Sequence, residues 1–176
     1  VLTIDAGVFE VMATNGDTHL GGEDFDRKLV EHVLSEYEKC EGVDLSSDLM
    51  ALQRIKDAAE KVKCDLSAAS VAEINLPFIA TSDTGPVHLQ RSLSRAELED
   101  LTASLTERLA IPCNQALEDA GLKASELNSV LLVGGMTRMP SVRDQVKKIF
   151  ERAARSYLTR AAGMDEVMTY AFDTDP

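Results

Sequence analysis

A short apolar run at residues 130–133 leads into two adjacent glycines, and a helix-like segment follows from Pro140 to Phe150. A continuous Val and Leu run bounded by turn residues is typical of a strand buried on both faces. Proline suits the first turn of a helix, because its missing N–H is not needed there. A strand that passes through glycines into a helix predicts an α/β fold, with a sheet packed against helices.

The rest of the chain predicts further strands and helices around this unit. Residues 1–5 and 8–14 are strand-like, and the Asp5-Ala6-Gly7 connection predicts a hairpin between them. Apolar residues then recur every four positions, which predicts a helix up to about Cys40. The members of this repeat are Phe25, Leu29, Val33 and Tyr37.

The middle of the chain predicts a small α+β insert. Ser46 or Ser47 can cap a second helix, and residues 71–80 and 87–93 predict a hairpin around a dense turn. Ser94 and Glu97 form a capping-box pattern at the start of the next helix. Pro112 predicts a kink or split in that helix, because proline lacks an N–H and clashes with the preceding turn. The insert spans roughly residues 22–93.

Charge and composition exclude several classes of function. The formal net charge is −12, which would repel a nucleic-acid backbone, so we expect no nucleic-acid binding. A small phosphorylated ligand stays compatible, because a few local donors outweigh a distant net charge. The 3 cysteines contain no CxxC pair and the 3 histidines lie far apart, so we expect reduced thiols and no metal site. No apolar run reaches the ~20 residues that span a bilayer, so we expect no membrane partner.

Gly134 and Gly135 are the first candidates for ligand contact. Glycines allow close backbone approach, and the following helix start presents free N–H groups to a phosphate or nucleoside. Arg138, just beyond them, can stack on a flat base or pair with a phosphate. From these residues alone, an ordinary turn and a solvated surface arginine are equally good interpretations.

Two other stretches carry candidate contacts. Gly21, Gly22 and Glu23 stand at a predicted helix start, where a flexible turn is the alternative interpretation. Glu60, Lys63 and Ser67 follow each other at i, i+3 and i+7, so they share one face of a helix. A carboxylate can hold ribose hydroxyls, and a serine hydroxyl can bond a purine edge. On spacing alone, a solvated helix face explains these residues better.

Three motifs in order resemble the ATPase domain of the 70-kilodalton heat-shock chaperones. They are GDTHLGGEDFD at 16–26, ALQRIKDAAEKVKCDLS at 51–67 and LVGGMTRMPSV at 132–142. INLPFIATSDTGPVH at 74–88 resembles the bacterial and mitochondrial, DnaK-type branch. The resemblance is dense from about residue 2 to residue 150.

The resemblance implies an actin-like, ribonuclease H-like ATPase fold with two lobes, of which this chain is similar to the second. Residues 1–21 and 94–176 would form its sheet subdomain, with a divergent C-terminal end, and residues 22–93 the outer subdomain of helices and hairpin. The family couples ATP binding and hydrolysis to peptide capture and release in protein folding. The implied partners are adenine nucleotide, a GrpE-type nucleotide exchange factor and, in the complete protein, a J-domain co-chaperone.

The resemblance also assigns nucleotide contacts to positions that match the family's motifs. The glycine turn at 21–23 would contact phosphate and ribose, and the helix in the 51–67 motif would contact ribose and, at its end, adenine. The glycine turn at 134–136 would approach the nucleoside, and the arginine just after it would stack on the base. The residues concerned are Gly21, Gly22, Glu23, Glu60, Lys63, Ser67, Gly134, Gly135, Met136, Arg138 and, as the acidic residue of a later Asn-Pro-Asp-Glu-like stretch, Asp165.

Departures from the family limit these expectations. The chain lacks the first lobe, its catalytic lysine and both glycine-rich phosphate loops, and it opens in mid-strand without Met, which favours a segment of a longer protein. In the family these missing parts hold Mg²⁺ and position water. We therefore expect weak adenine-nucleotide binding without hydrolysis. The alternatives are a module that binds an exchange factor, or a non-functional truncated product, in a bacterial cytoplasm or a mitochondrial matrix.

Overall fold

The structure is a computed structural model that describes residues 1–82, 85–150 and 166–171. The chain divides into two compact units, one formed by Val1–Gly22 with Leu105–Pro176 and the other by Glu23–Ser104. Helices and strands occur in both units, so the predicted mixture of α and β structure is confirmed. The assignment of residues 1–21, 22–93 and 94–176 to subdomains of the family stays a prediction. Within the described residues, no helix is both long and apolar enough to cross a membrane.

The first unit contains a sheet with helices. Its elements are β1 (Leu2–Asp5), β2 (Val8–Val11), α5 (Ala110–Ala120), a 3-10 turn (Ala124–Glu126), β5 (Ser129–Val133), a second 3-10 turn (Gly135–Arg138), α6 (Pro140–Phe150) and β6 (Glu166–Ala171). The strands lie in the order β2-β1-β6-β5. β1 pairs antiparallel with both β2 and β6, whereas β5 and β6 are parallel. The sheet is therefore mixed, with β6 between β1 and β5.

The apolar core of this unit lies where α5 and α6 pack with β5 and the chain start. It consists of Val1, Cys113, Ala116, Leu117, Leu127, Val130, Val146 and Phe150. The strand at residues 130–133 is confirmed, but its expected burial on both faces is wrong. Only Val130 is buried, and the other residues of β5 are half-buried. Its apolar side chains therefore retain contact with solvent within this chain.

The hairpin at the chain start is confirmed, although its second strand ends at Val11 rather than Thr14. Asp5 pairs with Val8, so Ala6 and Gly7 form a two-residue turn. Their φ angles are +47° and +84°. Two positive φ angles are the signature of a type I′ turn, whose twist matches that of paired strands. Gly7 adopts this conformation without strain, whereas Ala6 carries a Cβ that opposes it.

The second unit consists of helices and a long hairpin. Its elements are α1 (Gly22–Glu41), α2 (Leu49–Leu66), β3 (Val71–Ser82), β4 (Gly85–Ser94) and α3 (Arg95–Leu101). The first residue of α1 is counted with the first unit, and α4 (Ala103–Arg108) has its first two residues in the second unit and the rest in the first. The repeat that predicted α1 is confirmed, because Phe25, Leu29, Val33 and Tyr37 are all buried. The expected caps of α2 are wrong. Asp48, rather than Ser46 or Ser47, caps α2, since its carboxylate accepts from the N–H groups of two first-turn residues.

The predicted hairpin contains an irregularity that its pattern did not show. The register between β3 and β4 shifts between Leu76 and Ala80. Phe78 lies in this bulge with a φ of +52°. Its N–H donates to His88 Nδ1 at 3.0 Å, and Arg54 donates to the carbonyl of Phe78 at 2.8 Å. These bonds satisfy backbone groups that the strand ladder leaves unpaired at the bulge.

The helices after the hairpin start and break where local chemistry dictates. Both bonds of the Ser94–Glu97 capping box are present, as predicted. The predicted split occurs, but it lies upstream of Pro112. The helix breaks at Thr102 and again at Leu109, one turn before the proline. The second break has a direct cause, because the Pro112 ring would clash with the carbonyl four residues earlier.

The strained turn at Ala6 gives a first prediction. Ala6→Asn should stabilise the chain by about 0.5–1 kcal/mol, because asparagine tolerates the left-handed conformation that alanine resists. Ala6→Val should destabilise it, since a β-branched side chain is worse there. Urea unfolding followed by circular dichroism measures both variants. An Asn variant no more stable than the Val variant would contradict the assigned turn.

Candidate functional site

The predicted ligand-facing residues of α2 lie on one side of a regular helix. Glu60 is exposed, Lys63 is buried, and Ser67 is half-buried at the C-cap of the helix. The Ser67 hydroxyl donates to the Lys63 carbonyl at 3.2 Å. Cys64, next to Lys63, is an exposed free thiol. This face thus offers a carboxylate, an ammonium and a hydroxyl in sequence along one helix.

Lys63 is engaged inside the protein, which its spacing did not predict. Its Nζ donates to Asp26 Oδ2 on α1 at 2.6 Å, and the two side chains keep only 10% and 18% of their exposure. The other carboxylate oxygen of Asp26, Oδ1, is buried and has no hydrogen-bond partner in the described part of the chain. A buried acceptor without a donor costs about 1–3 kcal/mol. Asp26 Oδ1 therefore keeps an unused hydrogen-bond acceptor beside Lys63.

Burial dominates the electrostatics of Asp26. Loss of solvent raises the pKa of its carboxyl above the usual value, although the hydrogen bond and charge of Lys63 oppose the rise. The nearby carboxylates of Glu60 and Glu23 raise the pKa further. Lys63 thus pairs with a partly buried carboxylate and is not a free charge on the surface.

The C-terminal end of α2, which carries Ser67, is held by an arginine from α3. Arg95 Nε donates to the Leu66 carbonyl at 2.8 Å, and its Nη2 donates to the Ala69 carbonyl at 2.9 Å. The Leu66 carbonyl has no partner within the helix, because the last turn of any helix leaves its acceptors open, and Ala69 lies just beyond the helix end. The planar guanidinium bonds both carbonyls together and so fixes the segment around Ser67.

The first glycine turn follows an anchored loop. Arg108 donates to Asp17 Oδ2 at 2.5 Å, and the His19 N–H donates to Asp17 Oδ1 at 2.9 Å. The His19 and Arg108 bonds hold the pKa of Asp17 below its usual value. The loop leads to Gly21 and Gly22, both half-buried. Nothing near Arg108 in the sequence indicates this role, since 91 positions separate it from Asp17.

After that turn, Glu23 stands exposed in the first turn of α1, as predicted. An acidic residue there interacts favourably with the helix N-terminus, which is the ordinary structural interpretation of this position. Asp24 beside it is buried and paired with Arg27. Glu23 is therefore the more accessible of the two carboxylates.

The second glycine turn joins β5 to α6. Gly134 has a φ of +93°, which residues other than glycine rarely adopt. The Thr137 hydroxyl donates to the Gly134 carbonyl at 2.6 Å and closes the turn. Gly134, Gly135 and Arg138 are exposed, whereas Met136 keeps only 6% exposure. The turn is confirmed, and Met136 is its buried residue.

The last candidate, Asp165, lies outside the described residues. The other candidates stand either in the first unit, in its two glycine turns, or in the second, at the start of α1 and along α2. Each group has backbone or polar side chains whose positions are held by nearby hydrogen bonds. The chemistry available is that of binding a polar, hydroxylated or anionic small molecule.

These features define a mixed α/β protein with two glycine turns and a polar helix face. The family model for Hsp70 protein matches residues 1–171. The mitochondrial heat shock 70 kDa protein of Dictyostelium discoideum is 54% identical over 152 residues, which is 86% of this chain. The chain therefore belongs to the Hsp70 family, and this membership implies the actin-like ATPase fold. It spans 23% of the length of that relative.

The Asp26–Lys63 pair gives a second prediction. Lys63→Met leaves a buried carboxylate without its cation, so it should lower the free energy of unfolding at pH 7 by about 2–3 kcal/mol. The pKa of Asp26 in the folded variant should then rise further above its unfolded value near 3.8. A raised native pKa means that the variant is most stable where Asp26 is protonated, below the unfolded pKa, and loses that stability as pH rises through the native pKa. The deficit should therefore shrink at pH 4, as measured by urea unfolding.

The matched control is Lys61→Met, which removes an exposed lysine from the same helix. It should change stability by less than about 0.5 kcal/mol at both pH values. Equal deficits for the two variants, or a Lys63→Met deficit independent of pH, would show that the pair has no special role.

Proposed function

We propose that this chain is the second lobe of an Hsp70 nucleotide-binding domain and that it binds adenine nucleotide weakly. The observation that carries the proposal is the sequence of Glu60, Lys63 and Ser67 along α2, in a stretch that resembles the family's nucleotide motif. In the complete family protein, ATP binding and hydrolysis would drive peptide capture and release. A mitochondrial matrix origin suits the relative from Dictyostelium, and a bacterial cytoplasm is the alternative.

The second unit would hold the ribose and one edge of the base. The exposed carboxylate of Glu60 can accept from ribose hydroxyls, and Lys63 fixes Asp26 beside it. The unpaired oxygen Asp26 Oδ1 is buried, and it would accept from a ribose hydroxyl only once neighbouring side chains move to expose it. Ser67 would meet the adenine edge by turning its hydroxyl from the Lys63 carbonyl, a bond of 3.2 Å.

The first unit would contribute backbone and a planar cation. Gly134 and Gly135 are exposed and carry no side chain, so a nucleoside can approach their backbone closely. The exposed guanidinium of Arg138 can stack on the base. Gly21 and Gly22 would face phosphate at the start of α1, where helix N–H groups favour anions. Glu23 of the second unit and Asp165, which lies outside the described residues, complete the set of proposed contacts.

Hydrolysis is not expected of this chain by itself. Phosphoryl transfer needs a held metal ion, a positioned water and donors around the transferred group. In the family, the missing first lobe and phosphate loops supply most of these and hold Mg²⁺. The chain's own residues would bind and orient the nucleoside, which gives recognition without turnover.

Titration of ADP by calorimetry tests the binding proposal. Weak binding is expected, with Arg138→Ala and Ser67→Ala each lowering affinity about fivefold through the loss of stacking and of one hydrogen bond. Ser125→Ala, which removes an exposed serine from the first 3-10 turn, is the control and should have no effect. A steady-state ATPase assay on protein free of other chaperones should stay at background.

Three results would contradict the proposal. They are the absence of any ADP binding to folded protein, equal affinities in all variants, and tight, Mg²⁺-dependent binding with turnover. The first two would remove the nucleotide site, and the third would mean that the catalytic parts are not needed.

A second candidate function is binding of a GrpE-type exchange factor by the second unit. Among the described residues of this unit, the most exposed large apolar side chains are those of Leu49 by 83%, Met50 by 76% and Phe78 by 67%. Exposed apolar side chains that lie together mark protein interfaces, and Leu49 and Met50 are adjacent in the first turn of α2. The Phe78 side chain is further held in place by an edge-to-face contact with the His88 ring. A J-domain co-chaperone would be a partner of the complete protein.

Biolayer interferometry with purified GrpE-type factor tests this candidate. The double change of Leu49 and Met50 to serine should weaken binding at least about tenfold, because two apolar anchors are lost. Ile111→Ser removes an equally exposed apolar residue from the first unit and should have no effect. Equal affinities of the two variants, or no binding by the unchanged chain, would exclude this surface.

A further inference from the structure

A cluster of polar side chains on the second unit serves none of the functions above. It joins His32 and Glu36 on α1, Arg91 on β4 and Glu97 on α3. The side chains keep between 20% and 37% of their exposure, so they are partly shielded yet reachable from solvent. Such a position permits a ligand to enter while weakening competition from bulk water.

The spacing between the donor atoms suits a small metal ion. His32 Nε2 lies 3.3 Å from Glu97 Oε1 and 3.6 Å from Glu36 Oε2. All three donor atoms lie within 4.8 Å of one another. In a tetrahedral zinc site with bonds of about 2.0–2.1 Å, neighbouring donors are about 3.3–3.4 Å apart. Two of the three separations already approach this value.

The positions of the ligands are fixed before any ion binds. His32 and Glu36 are four residues apart, so they project from one face of a helix of 20 residues. Glu97 Oε2 accepts from the Ser94 N–H at 3.4 Å, and the Ser94 hydroxyl accepts from the Glu97 N–H at 3.1 Å. The capping box therefore holds Glu97 so that its Oε1 points toward His32.

Arg91 currently supplies the positive charge in this cluster. Its guanidinium pairs with Glu36 and lies 3.3 Å from Glu97 Oε1. Glu36 and Glu97 bring two carboxylates together here, and Arg91 contributes a single guanidinium to pair with both. With 37% of its side chain exposed, Arg91 can swing into solvent when a divalent ion takes its place.

We propose that His32, Glu36 and Glu97 form a binding site for a divalent transition-metal ion of the zinc type, with Arg91 as its competing internal cation. The imidazole and two carboxylates supply three ligands, and water completes the fourth position. Binding exchanges the Arg91 ion pairs for metal–ligand bonds and ties α1 to the start of α3. The site is independent of the nucleotide proposal, because it shares no residue with it.

Titration with Co²⁺ tests the site, because tetrahedral Co²⁺ absorbs visible light and Zn²⁺ can then displace it. The protein is the untagged chain with Cys40→Ser and Cys64→Ser, which removes the exposed thiols as competing ligands. We expect one ion per chain. His32→Ala should weaken binding at least tenfold, whereas His19→Ala, which removes an exposed histidine elsewhere, should not change it.

The arginine variants distinguish this site from nonspecific binding. Arg91→Gln should tighten Co²⁺ binding about tenfold, because the ion no longer displaces a guanidinium. Arg91→Lys keeps the charge and should not tighten it, and Glu36→Gln should weaken it. Circular dichroism checks that each variant folds. Absence of saturable binding, affinity unchanged in His32→Ala, or no gain in a folded Arg91→Gln variant would each overturn the proposal.

Discussion

The sheet of the first unit is continuous only through β6. Among the described residues, β1 pairs with β2 and β6, and β5 pairs with β6, so no ladder joins β1 directly to β5. β6 pairs with Leu2 and Thr3 of β1 on one side and with all five residues of β5 on the other. Without it, the sheet would present two interior edges with unpaired donors and acceptors. The glycine turn that follows β5 depends on the same strand for its position.

Local patterns predicted those parts of the structure whose chemistry is itself local. The four-residue repeat of α1, the Ser94–Glu97 capping box and the hairpin at Asp5 each depend on residues a few positions apart. Gly134 belongs to the same class, since a glycine pair between strand and helix predicted a turn that the positive φ confirms. The motifs that carried the family resemblance are also short and contiguous.

What the sequence did not predict depends on contacts between distant positions. Lys63 was interpreted as a ligand contact, yet it bonds Asp26 across 37 positions. His32 was interpreted as a histidine without metal-ligand spacing, and Arg91 was not considered, because Glu97 and Arg91 approach His32 and Glu36 only when α3 and β4 pack beside α1. The bulge at Phe78 and the role of β6 likewise follow from pairing between strands, which periodicity along one strand does not record.

The edge strand β2 has a consequence for how this chain behaves in solution. All four of its residues are exposed, and Val8, Phe9 and Val11 are large and apolar. One side of β2 pairs with β1, and among the described strands the other side has no neighbour. An open, apolar sheet edge is a template on which other chains can add strands. Concentrated samples of this chain should therefore self-associate through β2, and a charged or proline residue there would be the natural means to keep it monomeric.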